Sequence, residues 1–174
     1  VARFVCRSST PNYLNCTYNI ISHNVVNSGS LTIRGGAGGM QAYNYWGYIN
    51  NNTIKNNEIN GELGPLAGGI HFAYCGVFMI VENNMITDNT ASRYGGGAFF
   101  NSESGGMEVG LINNTITRNS AGSTGGGFNA RSAAITGGTL RVDVNNSIVW
   151  GNTSSEDIHI SGDSSTSSTV VNAS

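Results

Sequence analysis

Two short phrases, each written four times at a shared period, constrain what this chain can fold into more than any other feature. Asn51-Asn52-Thr53-Ile54, Asn83-Asn84-Met85-Ile86, Asn113-Asn114-Thr115-Ile116 and Asn145-Asn146-Ser147-Ile148 follow one another at intervals of 32, 30 and 32 residues. Gly38-Gly39-Met40, Gly68-Gly69-Ile70, Gly96-Gly97-Ala98 and Gly126-Gly127-Phe128 keep step at 30, 28 and 30. Two markers locked to one period mean a supersecondary unit stacked on itself, a solenoid. At roughly 30 residues per coil, the 174 residues hold about five coils.

Composition says what the coils are made of. Gly accounts for 25 residues and Asn for 24, while only 10% are charged, against about 25% in average proteins. Little Lys, Glu or Leu and much Gly, Asn, Ser and Thr favour short strands and tight turns over helices, so the chain reads as all-β. A formal charge of −2 without any basic cluster excludes the Lys/Arg footprint of a nucleic-acid binder. No apolar run reaches the length of a membrane span. Cys, His and carboxylates nowhere take metal-finger spacing, and neither metal nor cofactor is expected.

Within a coil, apolar residues alternate: Met79 and Val81 lead to Asn83, and Met107, Val109 and Leu111 to Asn113. Such alternation marks strands with one face inside. Ile86 and Ile116 then follow three residues after the Asn, a step that marks a corner. Asn suits a corner because it tolerates the left-handed region and bonds to nearby backbone. Stacked at the ~4.8 Å strand spacing, one Asn of each pair can bond to its equivalents above and below. The expected ladder is Asn51, Asn83, Asn113 and Asn145. The Gly pairs serve the next corner, where positive φ or close approach of coils excludes a Cβ. Successive coils then pair in parallel.

Residues 1–18 lack the marker and read as an entry segment or atypical capping coil, 19–160 as the repeats, and 161–174 as a Ser/Thr-rich tail or linker. Cys6 and Cys16 enclose a short polar loop and are a candidate disulfide suited to an oxidising, extracellular setting. Cys75, between apolar neighbours, reads as a buried thiol.

The stretch Asn113-Asn114-Thr115-Ile116-Thr117-Arg118-Asn119 followed by Gly126-Gly127 resembles the repeat of right-handed parallel β-helix proteins in the pectate-lyase-like superfamily. It is more closely similar to the short repeats of chlamydial polymorphic outer membrane proteins, which carry a Phe-x-x-Asn phrase and a Gly-Gly-Ala-aliphatic phrase. Ile54-Lys55-Asn56-Asn57, Ile86-Thr87-Asp88-Asn89 and Ile116-Thr117-Arg118-Asn119 match the first with Ile for Phe, and Gly96-Gly97-Ala98-Phe99 matches the second. The resemblance covers residues 19–160 and implies a right-handed parallel β-helix. Such repeats occur in adhesins, surface proteins and carbohydrate-active enzymes alike.

Enzymes on that fold imply clustered carboxylates, which hold calcium or supply an acid and a base. Here the repeat register scatters the acids around the coil. Asp88 falls one coil from Arg118 and is expected to form a cross-coil ion pair. Glu156 and Asp157, near His159, are the remaining acid or metal candidate, although strand alternation sends neighbours to opposite faces. His71, after a glycine corner, and His23, at a degraded Asn position, read as structural. No catalytic residue is assigned.

The aromatics are more suggestive. Tyr43, Tyr45, Trp46, Tyr48 and Tyr74 could line a sugar- or partner-binding strip, with core stacking as the competing role. Sequons stand at Asn15, Asn51, Asn113, Asn145, Asn152 and Asn172. If Asn51, Asn113 and Asn145 lie in the inner ladder, Asn15, Asn152 and Asn172 are the candidate glycan acceptors. The sequence therefore leads to an extracellular or surface-displayed structural or adhesive module, with a glycan or protein partner or end-to-end self-association. A carbohydrate-active enzyme or its inactive sugar-binding relative is the alternative, and a subunit of an extracellular fibre a further one.

Overall fold

The computed structural model describes residues 4–28, 36–61, 66–73, 78–102, 105–132, 139–162 and 168–173, with backbone alone for part of residues 4–11 and for 168–173. Among them there is no helix, and every strand pairing is parallel. The chain forms a β-solenoid of about four turns. The count of five expected from the repeat is met by the five-stranded sheet, while the sheet after it holds four strands.

Each turn visits four faces. The first stacks Ile70–Ala73, Ala98–Ser102, Phe128–Ser132 and Ile158–Gly162 on the start of Met40–Asn50. The second stacks Met79–Glu82, Gly106–Ile112 and Thr139–Asn145 on the end of that same strand. The third runs Ile20–Ser22, Thr53–Lys55, Met85–Thr87, Thr115–Thr117 and Ile148–Trp150. The fourth runs Val25–Ser28, Glu58–Gly61, Thr90–Ala91 and Ser120–Ala121.

The core is a set of stacked rows. Ile54, Ile86 and Ile116 register with one another, as do Ile49, Val81, Leu111 and Val144. Phe72, Phe100 and Phe128 stack through the centre at 5.5 and 5.8 Å. These side chains are almost wholly buried, each contributing roughly 1.5–3 kcal/mol of transfer free energy.

Two corners per turn carry the Asn phrases, and here the expected assignment is reversed. Asn51, Asn83 and Asn113 hold the left-handed conformation at φ 58°, 54° and 53° and stand outside the core. Asn52, Asn84 and Asn114 turn inward and are buried. The Asn52 amide donates to Asn84 Oδ1 at 3.0 Å, and the Asn84 amide to Asn114 Oδ1 at 3.1 Å. Each also donates to a carbonyl of the preceding turn, Asn84 to Ile49 O and Asn114 to Val81 O. The three-residue step thus lies before the inner Asn, from Val81 to Asn84, because the left-handed residue between them swings the chain round. In the last coil Asn146 takes the left-handed place at φ 47°. Ser147 replaces the inner Asn, its Oγ accepting Asn114 N–H, so the expected Asn145 lies outside the ladder.

A second ladder runs one corner on. Asn57, Asn89, Asn119 and Asn152 bond in series at 2.9, 3.0 and 3.0 Å, preceded by the left-handed Asn56, Asp88, Arg118 and Gly151. Gly151 is therefore the corner residue of its turn. Asp88 and Arg118 form the expected cross-coil pair, bidentate at 2.8 Å for each contact.

The glycine pairs answer to close approach and not to positive φ. A Cβ on Gly96 would stand 2.4 Å from Gly126 O, and one on Gly97 2.5 Å from Gly127 O. The left-handed glycines are those just before, Gly95 and Gly125, at φ 58° and 68°.

Both flanking segments join the stack. Phe4–Thr17 pairs with Met40–Asn50, with a register shift between Arg7 and Asn12. Ser168–Ala173, inside the segment read as a tail, pairs with Thr139–Asn145 and sets Val171 beside Val142. The Cys6–Cys16 pairing depends on the Cys6 side chain, and Cys75 and Tyr74 on a segment, all outside the described residues. Cys16 itself is buried, with Asn19 Nδ2 3.3 Å from its Sγ.

Candidate functional site

Two surfaces, on adjacent faces, gather the exposed aromatic and polar side chains of the described residues. On the second face, strand alternation sends Leu14, Cys16 and Ile49 inward and Tyr13, Trp46 and Tyr48 outward. Tyr13 registers with Trp46, and Tyr48 with Ile80 on the next coil. The Tyr13 and Trp46 rings lie 4.8 Å apart at 60°, and the Tyr48 ring stands 6.4 Å from Tyr13 edge-on. Tyr13, Trp46 and Tyr48 are 51%, 45% and 40% exposed, and Phe78, whose carbonyl accepts Gly47 N–H, adds a fourth exposed ring.

This ridge differs in membership from the expected strip. Trp46 and Tyr48 belong to it. Tyr43 and Tyr45 are half-buried, and Tyr45 packs against the core. Tyr13 was missed, although the alternation Asn12-Tyr13-Leu14-Asn15-Cys16 carries the signal once the entry segment is read as a strand. Toward the last coils the face becomes ionic, with Glu108 beside Arg141 and the Arg141 guanidinium 2.9 Å from Asp143.

On the outside of the first face, register builds a cleft of about 250 Å3. Phe99, Asn129 and His159 form one row across three strands, and Arg131 and Ser161 the next. Tyr94 and Thr124, bridged to each other, make the opposite wall. Asn129 is buried and donates from Nδ2 to Thr124 Oγ1 at 2.9 Å, while its Oδ1 has no partner. An unsatisfied buried carbonyl of this kind costs about 1–3 kcal/mol. His159 Nδ1 is hydrogen-bonded to Glu156 Oε1.

The acidic pair Glu156 and Asp157, just ahead of the strand Ile158–Gly162, is split between two bonds. Glu156 orients His159. Asp157 Oδ1 accepts Asn152 N–H at 2.9 Å, the place that the next coil's Asn fills elsewhere in the ladder. Asp157 therefore terminates a ladder. His71 is buried, takes a contact of 3.3 Å from Gln41 Nε2 at Nδ1, and stacks on Phe99 at 5.4 Å. His23 sits exposed at a left-handed corner. Among the described residues no three His, Cys, Asp or Glu side chains gather as metal ligands.

The sequons are redistributed with the ladder. Asn15, Asn113 and Asn145 are exposed, and Asn51 is half-buried. Asn152, expected to be an acceptor, is committed to the second ladder, its Nδ2 donating to Ile116 O at 3.1 Å. The Asn172 side chain lies outside the described residues. Comparison of the chain with protein-family models, curated proteins and solved structures gave no match.

Proposed function

We propose that this chain is a structural and adhesive β-helix module, extracellular or surface-displayed, that uses its aromatic ridge to hold a glycan and performs no catalysis. The observation that carries this reading is the exposed cluster of Tyr13, Trp46 and Tyr48 across two coils. Pyranose rings present C–H faces that pack on aromatic side chains, and amphipathic rings on a rigid sheet lose little entropy when they bind. The Ile-x-x-Asn and Gly-Gly-Ala-Phe phrases, which resemble repeats of surface proteins, support the same reading. So does the use of Asp88, Asp143, Glu156 and Asp157 in local bonds.

The test is migration of the purified protein through gels containing soluble cellulose derivatives, xylan, chitosan or mannan. Retardation by at least one polymer, weakened about tenfold in the Trp46→Ala/Tyr48→Ala variant, is expected. Full mobility in every gel, or steady release of reducing ends, would reject the reading.

A further inference from the structure

The aromatic ridge has a direction and a charge, and together they narrow the glycan it can hold. Tyr13 registers with Trp46. Phe78 precedes Met79, the register partner of Gly47, and so falls in the same outward column one coil on. By the same register the next members of that column are Glu108 and then Arg141. The column therefore runs along the solenoid axis, one ring per strand for three strands at ~4.8 Å spacing, with a carboxylate as its fourth member. In the column beside it Tyr48 registers with Ile80, and Glu82 stands two residues beyond Ile80. Ile80 registers with Gly110 and folds over it, since a Cβ on Gly110 would stand 2.9 Å from Ile80 Cδ1. Rings and aliphatic carbon thus continue as far as the two glutamates. Glu108 is exposed and Glu82 half-buried, and neither carboxylate forms a hydrogen bond or ion pair among the described residues. Arg141 is the one cation among the described outward side chains of this face, and its guanidinium is held by Asp143 at 2.9 Å.

We infer that the ridge takes a linear polysaccharide of amino sugars, laid along the solenoid axis, with free ammonium groups set over the rings and against Glu108 and Glu82. This rests on the reading of the ridge as a glycan site and names the class of glycan. An extended pyranose chain advances by about one strand spacing per sugar, so each sugar of the chain meets one ring of the column. The 60° and 68° angles between the rings deny a flat platform to a crystalline surface and suit a single strand. An ammonium is drawn to the negative face of an aromatic ring, to Trp most of all, and an unpaired carboxylate at the end of the column attracts the same group. A neutral chain gains the stacking alone. A uronic chain meets Glu82 and Glu108 as like charges, and the guanidinium that would offset them is engaged by Asp143.

Calorimetry and ligand-observed NMR on the 174-residue chain test this with four probes. They are the β-1,4-linked hexamers of glucosamine, N-acetylglucosamine and glucose, and hexalysine as a cation without sugar rings. The glucosamine hexamer should bind at least tenfold tighter than either neutral hexamer and than hexalysine, and its advantage should shrink as salt is raised. Glu108→Gln combined with Glu82→Gln should bring the glucosamine hexamer down to the affinity of its acetylated counterpart. Trp46→Ala should weaken the glucosamine hexamer at least tenfold. Neutral hexamers binding as tightly as the glucosamine hexamer would overturn the amino-sugar inference and leave the ridge a glycan site. Hexalysine binding as tightly would overturn it in favour of a basic peptide. A glucosamine hexamer indifferent to the paired glutamate substitutions or to Trp46→Ala would likewise overturn it. Failure of all three hexamers to bind would reject the reading of the ridge, and this inference with it.

Discussion

At the scale of the residue, the Asn pair divides two tasks that the sequence makes look like one. Asn113 supplies a left-handed backbone, and Asn114 a side chain that donates and accepts between coils. Asn114→Leu strands the Asn84 N–H and amide and the Val81 carbonyl, so about 1–3 kcal/mol should be lost, read as a lower urea midpoint at constant slope. Asn113→Gly should change stability little because glycine takes positive φ without strain, whereas Asn113→Val should cost about 1–2 kcal/mol. Equal effects of Asn113→Gly and Asn114→Leu would remove the ladder from the account. The Asp88–Arg118 pair gives a pH signature. The Arg118 hydrogen bond holds the Asp88 carboxyl below its ordinary value of 3.8. A depressed carboxyl contributes stability above its unfolded value and loses it as pH falls through its folded one. The difference between wild type and Arg118→Gln should therefore be fully present at neutral pH and disappear in acid below that range. It should be small, because both partners are partly exposed.

At the scale of the element, the coil is defined by where backbones nearly touch. Gly97→Ala would set a Cβ 2.5 Å from a carbonyl oxygen of the next coil and 2.9 Å from the Asn119 amide. It strikes backbone and ladder together, and overpacking of this kind costs about 1–3 kcal/mol or more. Thermal unfolding should show Gly97→Ala well below wild type, while alanine at exposed Gly105, despite φ 78°, meets no neighbouring atom and costs only its backbone strain. The last coil departs from the pattern through substitutes that do the same work: Ser147 for an inner Asn, Gly151 for a corner residue, and Asp157 for the next Asn of the ladder. Asp157→Ala should therefore lower stability by about 1–2 kcal/mol. It should leave turnover of pectin or alginate unchanged at none, as measured by release of unsaturated products with and without calcium.

At the scale of the whole molecule, stability is a sum of coils and the contacts between them, so its edges decide how it associates. Phe4–Thr17 lies along Met40–Asn50 and places Leu14 and Cys16 over the core. Ser168–Ala173 lies along Thr139–Asn145. Trimming to residues 19–160 bares both strand edges, and bare parallel edges pair with other chains. The trimmed protein should sediment as concentration-dependent oligomers more strongly than the 174-residue chain. Equal behaviour of the two would mean that neither segment shields an edge.

The sequence by itself determined the stacked, all-β, parallel architecture. A period of about 30 residues survives any uncertainty over individual side chains, because every coil must repeat the same path to bury the same rows. The Asp88–Arg118 pair was legible for that reason, being one period apart. What the period cannot give is which way a side chain turns at a corner, since a single left-handed residue shifts the inward parity by one. That shift exchanged Asn51, Asn83 and Asn113 for Asn52, Asn84 and Asn114, and with them moved the accessible sequons. Tertiary structure alone brought Tyr13 to Trp46 and closed Tyr94, Thr124, Asn129, Arg131 and His159 around one cleft. Tyr13 and Trp46 come from different coils, and Tyr94 and His159 come from the coils on either side of the one that carries Thr124, Asn129 and Arg131. Their proximity is set by strand register across the stack, which appears in space and not along the chain.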